Sequence, residues 1–89
     1  MLVLPSELTH QQATSCLGGL LKDLPAQGEV AVLDASALTR FDSSALAVLL
    51  EFRRAGLAQG KRVEIRGLAS RLVDLAQLYG VAELLSSAA

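Results

Sequence analysis

The spacing of apolar residues changes several times along this chain, and each change marks an element. Leu2-Val3-Leu4 is a short apolar run stopped by Pro5, which predicts a strand whose ladder cannot continue. From Thr9 the period becomes helical: Ala13, Leu17, Leu20, Leu21 and Leu24 share one face until Pro25 and Gly28 end the segment. Thr9 followed three residues later by Gln12 is the pattern of a capping box. Gly18-Gly19 falls inside this helix at a cost of about 1 kcal/mol each relative to Ala. That cost predicts either close packing or a bend at the pair.

Val30-Ala31-Val32-Leu33 is continuously apolar and too short for a helix, which predicts a strand covered on both faces. A second helix from about Ser43 to Ala58 is expected to turn Leu46, Leu49, Leu50, Phe52 and Leu57 inward, leaving Glu51, Arg53, Arg54 and Gln59 in solvent. Gly60 closes it. Lys61 to Arg66 alternates polar and apolar residues, so a strand there buries Val63 and Ile65. A helix over Ser70 to Tyr79 is expected to bury Leu72, Leu75, Ala76 and Leu78 and to stop at Gly80, with Tyr79 half-buried at its end. Val81, Leu84 and Leu85 then fold back as a short tail helix. Strands alternating with helices imply parallel crossovers, hence an α/β sandwich with a mixed, mostly parallel sheet of about four strands.

The 89 residues make one domain, 1–89, with nine acidic and eight basic side chains and a net charge of −1. Nothing in that balance draws the chain to nucleic acid or an anionic membrane, and Phe41, Phe52 and Tyr79 are too few aromatics for a base-stacking platform. Cys16 has no disulfide partner. No charged-then-apolar leader and no run of about 18 apolar residues occurs, so a reduced, cytoplasmic location without membrane insertion is expected.

The chemistry concentrates at Asp42-Ser43-Ser44, where a polar loop enters the second helix. Such residues cap helices, because their side-chain oxygens accept bonds from the first unpaired helical N–H groups. The setting favours more than a cap. The cluster lies beyond the carboxyl end of a strand, where open α/β sheets gather their binding sites. Ser43 there offers a hydroxyl to a partner, with Leu46 and Ala47 supplying an apolar centre. Phosphate on Ser43 beside Asp42 would oppose any such association.

These residues resemble the STAS domains, found in sulfate transporters and in antagonists of anti-sigma factors, over nearly the whole chain. The resemblance is carried by Glu7-Leu8-Thr9, Val32-Leu33-Asp34, Phe41-Asp42-Ser43-Ser44-Ala45-Leu46 and Gly67-Leu68. In sporulation-type antagonists the motif reads Asp-Ser-Ser-Gly-Leu and a kinase phosphorylates its first serine, the position of Ser43. Ala45 replaces the motif's Gly, which is expected to hinder close approach of a partner backbone. Leu75-Ala76-Gln77-Leu78-Tyr79-Gly80 is more similar to the MlaB-like STAS subunit of Mla phospholipid transporters. That resemblance implies a non-enzymatic accessory subunit, needing no cofactor, which binds an MlaF-like ABC transporter ATPase and supports outer-membrane lipid asymmetry. A Thr at the position of Ser43 sits in the ATPase contact of that subunit. The resemblance also implies a reduced N-terminal hairpin, which would leave the strand at Leu2 as an edge open to self-association.

Other side chains have simpler readings. His10, the one histidine, sits near a helix start with no second metal ligand; Cys16 reads as a small buried hydrophobe. Arg53, Arg54, Lys61 and Arg62 form either a solvated basic face or a contact for an acidic partner. Arg71 and Tyr79 are each either surface residues or partner contacts. Three classes stay open: a transporter subunit, a phosphorylation-controlled antagonist binding an anti-sigma kinase, and an enzyme, for which no general base, metal set or phosphate loop is found.

Overall fold

Thr9 starts the first helix as its sequence predicts. In the computed structural model, which describes residues 1–85, the Thr9 amide donates to Gln12 Oε1 at 2.9 Å and Thr9 Oγ1 accepts from the Gln11 amide at 3.4 Å. The helix α1 runs His10–Asp23. Gly18 and Gly19 lie inside it with open space where a side chain would stand, so close packing is not their explanation.

Ahead of α1 come two short strands, β1 (Leu2–Val3) and β2 (Glu7–Leu8); after it follow a 3-10 turn at Leu24–Ala26, β3 (Val30–Asp34), β4 (Arg40–Phe41) and α2 (Ser43–Ala58). The chain closes with β5 (Arg62–Arg66), α3 (Ser70–Leu78) and α4 (Ala82–Leu85). Residues 86–89 of the expected domain lie outside the described residues. The α/β class stands, and the sheet is divided in two. β3 lies between β1 and β5, parallel to both, while β2 pairs parallel with β4 in a separate sheet of two strands. The strand at Leu2 is an edge, as expected.

Register decides what the larger sheet buries. Leu2, Leu33 and Ile65 are paired side by side and all three are buried. The neighbouring positions Val3 and Arg66 are exposed, and Val30, Val32 and Glu64 are half-buried. Coverage on both faces of β3 is therefore corrected: the strand alternates, because one face meets the main core and the other keeps part of its contact with water. The core centres on Leu4, Leu8, Leu24, Leu33, Val48, Leu49, Phe52 and Leu72, each almost wholly buried.

Two inward assignments are also corrected. Leu57 is 48% exposed and Leu78 80% exposed. In the last turn of α2 the inward position belongs to Gly56, since a Cβ there would stand 2.5 Å from Val63 Cγ2. On α3, Leu72 and Ala76 form the buried stripe; Leu78, two residues past Ala76, falls on the opposite side of the helix. Tyr79, expected half-buried, is 59% exposed.

Candidate functional site

Two parallel strands of two residues each build the site. Glu7 pairs with Arg40 and Leu8 with Phe41, and the register continues through the Thr39 and Arg40 amides, which donate to Ser6 O at 2.9 and 3.0 Å. β2 leads through Thr9 into α1, and β4 leads through Asp42 into α2. Parallel strands feeding helices at matched positions set the two helix starts side by side.

Asp42 uses that placement. Its Oδ1 accepts from the Ser44 amide at 2.8 Å, capping α2, and its Oδ2 accepts from the His10 amide at 3.2 Å, in the first turn of α1. His10 Nδ1 lies 3.7 Å from the same oxygen. The Ser44 amide chiefly, aided by the His10 amide and the Ser44 hydroxyl and opposed in part by desolvation, holds the Asp42 carboxyl below the usual aspartate range. One carboxylate thus satisfies orphan donors of two helices.

Ser43 is left outward. It is exposed, whereas Asp42 and Ser44 are half-buried and bonded to each other. Ser43, Leu46, Ala47 and Leu50 follow one another at helical spacing and line a cleft of about 340 Å³ completed by Tyr79 and Val81. Leu46 is 4% exposed and forms the floor, while Ala47 is open at the rim. Ala45 is fully buried. The expected effect of Ala45 on partner approach is corrected accordingly: the side chain points into the core, away from any docking molecule.

Arg71, on α3, is not part of that lining. Its guanidinium carbon stands 5.3 Å from the centroid of the Phe41 ring, a cation–π stack, and both residues line a second cleft of about 410 Å³ with Asp74, Leu75 and Leu78. The structure therefore gathers Ser43, Leu46, Ala47 and Tyr79 at one cleft, puts Arg71 at its neighbour, and uses Asp42 and Ser44 to fix the backbone between strand and helix. Sequence reasoning missed Phe41, Leu50, Asp74, Leu75, Leu78 and Val81 as lining residues. Phe41 carried the one usable signal, an aromatic next to a helix cap.

Two cations of the expected basic patch have local partners. Lys61 Nζ donates to Gln27 O at 2.6 Å and Gly28 O at 3.0 Å, tying a loop, and Arg54 lies 3.5 Å from Glu51. Burial raises the Cys16 thiol above its ordinary pKa, which keeps it protonated. No helix among the described residues is long and apolar enough to cross a membrane.

A one-sided parallel sheet, helices over its buried face and an exposed hydroxyl at a capped helix start define an α/β domain of STAS type. The family model described as MlaB, STAS domain, matches residues 1–86, and the chain belongs to the STAS family. Among curated proteins no match was found.

Proposed function

We propose that this chain is a docking subunit of an Mla-type phospholipid transport system, binding the cytoplasmic ABC ATPase through Ser43, Ala47 and Tyr79 and supporting its assembly or activity in keeping outer-membrane lipids asymmetric. The observation that carries the reading is the cleft along α2: an exposed hydroxyl and a small apolar residue on a helix start held by Asp42, next to an exposed tyrosine. Exposed apolar side chains grouped on one rim mark protein interfaces. The family match, described as MlaB, supports the choice of partner. In this reading the chain works by binding and carries out no reaction of its own.

Co-purification of the ATPase encoded in the same genome tests this. Ser43→Glu brings a charge into the contact and is expected to abolish capture while leaving helical content unchanged. Full capture by Ser43→Glu would refute the role.

A second reading has its own observation: Ser43 alone of the Asp-Ser-Ser group is exposed, as a kinase substrate must be. An anti-sigma antagonist would acquire phosphate on Ser43 when incubated with its genome's anti-sigma kinases. A transporter subunit would not.

A further inference from the structure

We propose that the second cleft reads charge: Arg71, stacked on Phe41, receives a carboxylate from a helix of the docking partner, and Asp74 receives a basic side chain about one turn along that helix. This inference rests on the docking reading above and deepens it by giving the chemistry of the occupant.

Arg71 and Asp74 are three residues apart on α3, a spacing at which opposite charges readily pair. They do not pair. Among the described residues neither forms an ion pair, and the Arg71 guanidinium lies instead over the Phe41 ring at 5.3 Å. No side-chain hydrogen bond or ion pair engages the Arg71 guanidinium among the described residues, so its N–H donors stay open in the fork that matches a carboxylate. A stacked arginine is also more nearly fixed than a free one, so less rotamer freedom is lost on binding.

The rest of the lining is apolar: Phe41 lies against Arg71, and Leu75 and Leu78 continue along α3 past Asp74. Leu78 is 80% exposed, an unfavourable place for a leucine that has no cover. The complement of this surface is an acid, a base about one turn on, and then apolar side chains along one face of an amphipathic helix, since one helical turn advances about 5.4 Å. An all-acidic segment fits poorly because Asp74 repels a second carboxylate, and an all-basic one is turned away by Arg71.

The test measures affinity between the purified chain and the ATPase subunit of the Mla-type transporter of the same genome, at low and high salt. Arg71→Glu is expected to weaken binding by about tenfold or more, Arg71→Lys by less, and Asp74→Lys in the same direction as Arg71→Glu, each with unchanged melting temperature. The affinity of the natural chain should fall with salt. Wild-type affinity in Arg71→Glu, with binding lost in Ala47→Arg, would overturn the charge reading and leave the docking reading standing. Wild-type affinity in Ala47→Arg would remove the docking reading, and this inference with it. Tighter binding by Asp74→Lys would overturn the acid-to-base order.

Discussion

The backbone amide of His10 donates to Oδ2 of Asp42 at 3.2 Å, so a residue that caps α2 also satisfies a donor in the first turn of α1. Removing the carboxylate strands a donor at each helix start. Asp42→Ala is expected to lower the melting temperature more than removal of an exposed cap serving a single helix, and Asp42→Asn, which keeps an acceptor oxygen, is expected to lower it less. Thermal unfolding of the two variants checks the order.

The same carboxyl sets a pH dependence. Asp42 is held below the ordinary aspartate range, chiefly by the Ser44 amide, and Asp34 likewise, chiefly by the Ser36 hydroxyl and amide. In both cases the folded state favours the ionised form. Their stabilisation is therefore complete above the unfolded aspartate pKa of about 3.9 and is lost as pH falls through the lower folded values. Melting temperature followed downward from neutral pH should drop below about pH 4. The gap between the natural chain and Asp42→Asn should narrow over the same interval; a gap independent of pH would contradict the assignment.

Gly67 and Gly60 have the same left-handed backbone, φ +74° in each, and differ in their surroundings. A Cβ on Gly67 would meet Ser36 Cβ at 2.8 Å and its backbone N and Cα at 3.0 Å, whereas the space around Gly60 is open. Gly60→Ala should cost about 1–2 kcal/mol, the strain of the conformation alone. Gly67→Ala should cost measurably more, because backbone from the loop after β3 must move. Equal losses in denaturant titrations would show that the close approach contributes nothing.

Gly18 and Gly19 predict the opposite sign. Both lie within α1 with no neighbouring atom close to where a methyl group would stand, so Gly18→Ala and Gly19→Ala are each expected to stabilise the chain by about 0.5–1 kcal/mol. Urea unfolding midpoints should rise for both.

Leu72 and Leu78 separate core from contact on one helix. Leu72 is 1% exposed, and Leu72→Ala should cost about 2–5 kcal/mol. Leu78→Ser, at a position 80% exposed, should change stability by no more than about 0.5 kcal/mol while weakening capture of the ATPase. Unchanged capture by Leu78→Ser would take that leucine out of the interface.

How much of the fold and site is legible in the sequence depends on whether the cause is local. The start of α2 can be read because a cap is made by neighbours: Asp42 bonds Ser44 two residues away. The capping box at Thr9 is local in the same sense. β2 and β4 leave no trace, since strands of two residues have no period, and their pairing joins Ser6–Leu8 to Thr39–Phe41 across all of α1 and β3. The stack of Arg71 on Phe41 is hidden for the same reason. Leu78 is a different failure. Its hydrophobicity argues inward and its phase against Leu72 and Ala76 argues outward, and the phase decides.

The pairing of β2 with β4 has a consequence for the order of events during synthesis. Leu8 waits for its mate until Phe41 has left the ribosome, and only then does Asp42 come within reach of His10. The helix start bearing Ser43 is thus braced once the amino-terminal half has closed on itself, while the wall of its cleft supplied by Tyr79 and Val81 is added only when the last part of the chain has been made.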